Sequence, residues 1–233
     1  MILGVNGIKM GKRYPEFVIN PSDIVRDYGA DTMRLYEMFM GPLEANKPWS
    51  DQGVEGAHRY LERVYRAIIE SNFIVNEEVP ELDMVYNQTV KKVTEDYEAL
   101  AFNTAISQMM IFMNEVYRIG KLPKKYAEGF VKMISCITPH IGEEMWEKLG
   151  HNDTIAFEPW PTYDPNKLET NTVKIAVSVN GKLRATVDVA KDIDDEEVKK
   201  VALSQENVIK FVEGHEIKKI IVVKNKIVNI VVA

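Results

Sequence analysis

The chain has 233 residues, of which 45% are hydrophobic and 27% are charged, as in an ordinary soluble globular protein. This length allows one large domain or two to three small ones. No apolar run reaches the roughly 18 residues of a membrane span, and the N-terminus lacks the apolar core of a signal peptide. The single cysteine, Cys136, excludes an internal disulfide, so we expect a cytoplasmic protein with no membrane partner.

Charge is distributed unevenly along the chain. The net charge is −6, but residues 173–233 carry 11 Lys and Arg against 9 Asp and Glu, whereas residues 1–172 carry 18 against 26. The C-terminal part is therefore the better place for phosphate contacts, although the acidic whole argues against DNA as a partner. The four histidines are scattered and no pair has metal-ligand spacing, so we predict no metal site.

The first ten residues predict a small β-hairpin, because Asn6-Gly7 is a turn signal between apolar residues. A basic loop, KMGKR, follows at residues 9–13. Ammonium groups on a mobile loop can neutralise the charge of a triphosphate, but most basic loops are simply solvated. The bare pattern leaves both interpretations open.

Two short helices and a tight turn are predicted between residues 18 and 50. Ser22 is expected to cap the first helix, and Asp31 or Thr32 the second, Met33 to Met40. By patterning alone, this stretch is a compact connector ahead of a helical domain. Its sequence GADTMRLYEMFMGPLEANKPWS closely resembles the segment that follows the nucleotide-binding loop in bacterial leucyl-tRNA synthetases, which are class I aminoacyl-tRNA synthetases.

The resemblance implies that residues 1–50 are the tail of a catalytic domain, with connector helices that lead into a helical tRNA-binding domain. In these enzymes a KMSKS loop occupies the position of the basic loop, and its lysines grip ATP, which Mg²⁺ accompanies. Gly11 and Arg13 replace the two serines of that motif, so we do not assign Arg13 the role of a serine. The implied ATP-binding residues are Lys9, Met10, Gly11 and Lys12.

Residues 51–150 predict a bundle of four or five helices, because apolar residues recur every three or four positions. The methionines around Met109 and Met113 are expected to fill the core. The sequence ITPHIGEEMW at 137–146 resembles the last helix of the anticodon-binding-type domain of the same enzymes. Cys136 is expected to be a buried apolar residue, not a nucleophile.

A stripe of three arginines lies on the first predicted helix of this bundle. Arg59, Arg63 and Arg66 share one face at helical spacing. The stripe is either a solvated face or a face turned toward tRNA phosphates. In the first case its partners would be Glu55, Glu62 and Glu70. Residues 151–172, which are rich in Pro, Asp and Asn, predict a linker.

Strict alternation of apolar residues around Asn180-Gly181 predicts a β-hairpin in the C-terminal domain, residues 173–233. A two-residue turn is usual for Asn-Gly, but it would place an apolar residue and a charge on the same face. A three-residue turn starting at Val179 would pair Val177 with Leu183 and keep one face apolar. We therefore predict the three-residue turn, with Gly181 left-handed in a bulge.

Two short helices and a second hairpin around Lys224 to Lys226 complete the order ββααββ. The predicted fold class is thus a mainly α multidomain protein, in which a helical bundle precedes a small α+β domain. Basic residues of the two hairpins, expected on adjacent strands, either protect sheet edges or bind tRNA. These candidate tRNA-binding residues are Lys182, Arg184, Lys218, Lys219, Lys224 and Lys226, with the arginine stripe a weaker candidate.

The domain containing VSVNGKLRATVDV and EIKKIIVV resembles the small C-terminal domain of bacterial leucyl-tRNA synthetases, which touches the tRNA elbow. It also favours the leucyl over the isoleucyl or valyl type. We interpret the chain as the C-terminal part of such an enzyme, because the HIGH-type signature, amino-acid pocket and editing domain are missing. The parent would ligate leucine to leucine tRNA with ATP, and the present chain alone is predicted to dock tRNA without catalysis. The alternatives are a free-standing tRNA-binding adaptor and a protein-interaction module.

Overall fold

The structure is a computed structural model that describes residues 1–5, 7–168 and 172–233. It contains two compact units, Met1–Leu168 and Glu169–Ala233. The first unit is mainly helical and the second is α+β, which confirms the predicted fold class. The predicted turn residue Asn6 lies outside the described residues, as do residues 169–171 of the predicted linker.

The N-terminal segment pairs with the end of the connector through two short strands. β1 (Ile2–Leu3) pairs in parallel with β2 (Lys47–Pro48). Beyond β1, Leu3 and Lys9 form an isolated antiparallel bridge, and the Gly4 N–H donates to the Ile8 carbonyl at 2.9 Å. In the described residues the predicted hairpin is therefore a single bridge, and the main partner of β1 is β2.

The connector forms two helices, α1 (Pro21–Tyr28) and α2 (Ala30–Phe39). Asn20 caps α1, because its side-chain oxygen accepts a hydrogen bond from the Ser22 N–H at 3.0 Å. The prediction of Ser22 as the cap is therefore wrong: Pro21 takes the first helical position, so the cap is Asn20, two residues before Ser22. Gly29, with φ of +87°, ends α1 and begins α2.

Residues 51–150, all of which are described, form five α-helices. A short π-helical turn follows the first, and two-residue strands pair next to the bundle. Met109 and Met113 are fully buried in its core, as predicted. The elements are α3 (Asp51–Tyr65), β3 (Ile74–Val75), α4 (Pro80–Glu98), α5 (Phe102–Ile119), β4 (Leu122–Pro123), α6 (Lys124–Ser135) and α7 (Pro139–Lys148).

The Asp31 carboxylate joins the connector to α7, the last helix of the bundle, by hydrogen bonds. Asp31 does not cap α2; its Oδ2 accepts the Ile141 N–H at 2.7 Å, and its Oδ1 lies 2.9 Å from His140 Nδ1. Thr138, the residue before α7, makes no capping bond with its side chain and donates its hydroxyl to the Ile134 carbonyl of α6. Asp31 thus caps a helix that lies 110 residues further along the chain.

The second unit is a four-stranded sheet with two helices on one face. The strand order is β6-β5-β8-β7, and the central strands β5 and β8 run parallel. Ile175, Val177, Val228 and Ile230 form the core with apolar residues of the helices. The elements are β5 (Thr172–Val179), β6 (Lys182–Ala190), α8 (Asp195–Leu203), α9 (Glu206–Val212), β7 (Ile217–Val223) and β8 (Ile227–Val232).

The first hairpin of this unit has a two-residue turn, so the predicted three-residue turn is wrong. Asn180 and Gly181 have φ of +48° and +75°, and Val177 pairs with Ala185, not with Leu183. A bulge at Arg184 supplies the extra residue that restores the apolar face beyond it. Asn180-Gly181 thus form the two-residue turn that this pair prefers, and the apolar residues of β6 beyond the bulge still face the core. Leu183, between the turn and the bulge, is left 63% exposed.

Candidate nucleic-acid interface

The KMSKS-like loop is a short basic loop at the edge of the first unit. Lys9, Gly11 and Lys12 are exposed, whereas Met10 packs against the core and its Sδ accepts the Ile19 N–H at 3.5 Å. In the part of the chain that is described, neither lysine forms an ion pair. Both ammonium groups are therefore available to an anion, and their role as ATP contacts remains a prediction.

Each arginine of the stripe has a partner within the protein; Arg59 and Arg63 lie on α3, and Arg66 begins the π-helical turn that follows it. Arg59 lies 3.5 Å from Glu55, and Arg66 lies 3.8 Å from Glu70. Arg63 donates to the Asn114 side chain at 2.8 Å and sits 4.4 Å from the centre of the Tyr117 ring. These contacts favour the interpretation of the stripe as a solvated face whose charges are paired within the protein, and not as a face that binds tRNA phosphates.

Cys136 follows α6 and is exposed, so the expectation of a buried residue is wrong. Its thiol donates to the Lys132 carbonyl at 3.7 Å, and partial burial raises the pKa of the thiol. A raised pKa keeps the thiol protonated at neutral pH, which agrees with the expectation that this cysteine is no nucleophile.

The strand order separates the two basic groups of the second unit. Lys182 and Arg184 lie on β6, at one edge of the sheet, whereas Lys218 and Lys219 lie on β7, at the other. The expectation of adjacent strands is therefore wrong, because β5 and β8 pair in parallel between the two hairpins. Three strand spacings put the edges about 14 Å apart. Both groups lie on edge strands, which is also where lysines protect a sheet.

The turn of the second hairpin contains Lys224 and Lys226. Lys224 lies 3.4 Å from Asp192, which also accepts a hydrogen bond from Asn225 at 3.2 Å. The Asn225 hydrogen bond and the Lys224 charge lower the pKa of Asp192. At neutral pH this carboxylate is charged and partly offsets Lys224, so Lys226, Lys218 and Lys219 are the less compensated cations of the hairpin.

Helix α9 contributes residues that the sequence analysis missed. Phe211 packs under the guanidinium of Arg184, whose Cζ lies 3.6 Å from the ring centre. Lys210 and His215 line the same shallow cavity as Lys182 and Arg184. In the sequence, the basic Lys210 next to the aromatic Phe211 could have indicated a binding surface on α9. Only the structure, with its bulge in β6, shows that Arg184 reaches Phe211.

Neither unit has the side-chain grouping of a metal site in its described residues, since no three His, Cys, Asp or Glu side chains come together to hold an ion. Within the same residues, no helix is both long and apolar enough to cross a membrane.

The described residues thus form a connector, a helical bundle and a small α+β unit with lysines on both edges of its sheet. Residues 81–200, more than half of the chain, match the family of the anticodon-binding domain of tRNA ligase. The chain belongs to this family.

The similarity to one solved structure extends over the whole chain. A leucyl-tRNA synthetase from Agrobacterium radiobacter K84, in a ternary complex with tRNA and LeuAMS, is 27% identical and superposes with a TM-score of 0.69. The match covers 100% of this chain and 33% of that protein, so the chain spans about a third of its length. It confirms the recognition of a C-terminal part of leucyl-tRNA synthetase. Methionyl-tRNA synthetase from Mycobacterium tuberculosis, in its free state, matches 63% of this chain and 41% of its own at 12% identity, with a TM-score of 0.43.

Proposed function

We propose that the chain is the tRNA-docking part of a cytoplasmic leucine–tRNA ligase. The observation that supports this most strongly is the match along the whole chain to a leucyl-tRNA synthetase that was crystallised with tRNA. In such an enzyme the catalytic body would activate leucine with ATP and Mg²⁺. The bundle and the α+β unit would hold the tRNA.

The cationic edges of the second unit support docking by charge. Lys182 and Arg184 on one edge, with Lys218, Lys219 and Lys226 toward the other, would meet phosphates of a folded RNA. Such contacts read backbone and shape more than base sequence. Lys9 and Lys12 would stabilise the charge of the triphosphate in the whole enzyme and would not act as acid or base.

We expect the purified chain to bind leucine tRNA in a salt-dependent way. Each phosphate contact contributes roughly 0.7 to 0.9 to the slope of log affinity against log salt concentration, so binding should fall steeply between two salt concentrations. Binding is measured by fluorescence anisotropy, with an unrelated tRNA and a DNA duplex as comparison ligands. Replacing Lys218, Lys219, Lys224 and Lys226 by Glu should reduce affinity more than tenfold. If the unaltered chain binds no tRNA even at low salt, the proposal is wrong.

A second expectation concerns catalysis. We expect the chain alone to show no leucine-dependent exchange between ATP and pyrophosphate, because the two loop lysines would hold only one side of a triphosphate. The matched control is the chain in which Lys9 and Lys12 are replaced by alanine. Exchange well above that control would mean that the chain itself contains an activation site.

A further inference from the structure

The bulge in β6 determines where Arg184 points. As the residue without a partner on β5, it lies between Leu183, which faces solvent, and Ala185, which packs on the core. Its guanidinium reaches α9 and stacks on Phe211 at 3.6 Å, and its Nε is buried without a hydrogen-bond partner among the described residues. A cation is thus fixed on the surface by an aromatic ring and a strand, not by a carboxylate.

The cavity around this pair is cationic and partly aromatic. It has a volume of about 320 Å³ and is lined by Lys182, Arg184, Lys210, Phe211 and His215, together with Val179, Asn180, Val232 and Ala233. No Asp or Glu side chain belongs to its described lining, and the side chains of Lys182 and Lys210 form no ion pair in the described structure. Phe211 is 40% exposed, so part of its ring is open to a ligand.

Other lysines of the second unit show how this site differs. Lys174 lies 3.6 Å from Asp188, and Lys199 lies 2.7 Å from Glu196. Exposed cations of this kind serve solubility and weak ion pairing. At the β6–α9 cavity the cations have no Asp or Glu partner among the described residues and lie beside an exposed aromatic ring. A bare phosphate needs only the cations, whereas a nucleotide uses the cations and the ring.

We propose that the β6–α9 cavity binds an unstacked nucleotide of the docked RNA. Lys182 and Lys210 hold its phosphate, and its base stacks against the exposed part of Phe211, which Arg184 supports from within the protein. Bases stack on aromatic rings and on guanidinium planes, and this stacking tolerates different bases. The inference rests on the proposed tRNA docking and assigns α9 to the interface.

The test separates stacking from charge. Base–aromatic stacking contributes about 1–3 kcal/mol, so Phe211→Leu should weaken tRNA binding by the full chain about tenfold without changing the salt slope, and Phe211→Tyr should retain the affinity. Lys182→Gln and Lys210→Gln should each weaken binding and reduce the salt slope by about one. Lys200→Gln on α8, which removes the same charge outside the cavity, is the matched control and should leave both quantities unchanged.

A direct readout guards against a variant that does not fold. When a single-stranded RNA tetranucleotide is added to the unaltered chain, the ring protons of Phe211 should shift in the NMR spectrum. An unchanged ring signal, or tRNA binding by Phe211→Leu that equals that of the unaltered chain, overturns the nucleotide site while leaving tRNA docking in place. Absence of tRNA binding by the unaltered chain overturns both proposals.

Discussion

The variant Gly142→Ala should lower the free energy of unfolding of the first unit by about 3 kcal/mol, the upper range for overpacking a core. An ideal Cβ on Gly142 would lie 2.5 Å from the Ser135 Cβ and 2.9 Å from the Ser135 Cα. Because the second contact is to backbone, no side-chain rotation relieves it. Helices α6 and α7 would have to separate, although both contribute buried residues such as Phe130 and Trp146 to the core.

The matched control for this prediction is Gly56→Ala in α3. A Cβ at Gly56 meets nothing within 4 Å, so the same added methyl group should stabilise the helix by about 0.5–1 kcal/mol. Urea unfolding followed by tryptophan fluorescence measures both variants, since Trp49, Trp146 and Trp160 all lie in the first unit. Equal unfolding midpoints for Gly142→Ala and the unaltered chain would show that α6 and α7 separate without cost.

The second large effect is expected at the carboxylate that joins the connector to α7. Asp31→Ala should lower the free energy of unfolding by about 2 kcal/mol, because the capping bond to the Ile141 N–H is charge-assisted and Asp31 is only 8% exposed. Asp31→Asn retains an acceptor and should lose less. The same fluorescence measurement applies.

The contribution of His140 can be separated from that of the cap. The His140 side chain is 76% exposed, so His140→Ala should cost less than about 1 kcal/mol. Glu98→Ala, which removes the same charge from an exposed side chain at the end of α4, controls for net charge. If Asp31→Ala and Glu98→Ala unfolded at the same urea concentration, the long-range cap would contribute nothing to stability.

Elements that are stabilised by nearby residues were predictable. Strands β7 and β8 follow β-branched runs, and the helices of the bundle follow apolar residues at helical spacing, because side-chain direction depends only on backbone period. Gly120 ends α5 in a left-handed conformation, and Asp194 caps α8, as their local sequences indicate. Among the candidate site residues, Lys182 and Arg184 were identified in the same way, as cations beside a turn.

Features that depend on distant partners were not predictable. The acceptor capacity of Asp31 is the same whether it caps its own helix or α7, so only the tertiary structure decides between them. The Asn180-Gly181 turn is stabilised from β8, where the Asn229 side chain accepts the Gly181 N–H at 3.1 Å. Alternation alone could not reveal the bulge that accommodates this turn.

Local periodicity therefore determined the helices and the strands of this chain, and short stretches of sequence carried the family resemblance, since each depends on residues that are close in sequence. The tertiary structure decided the order of the strands, the separation of the two basic edges and the contact of Arg184 with Phe211. These depend on which distant surfaces bury the most apolar area and satisfy the most backbone groups, a balance that no short stretch of sequence contains.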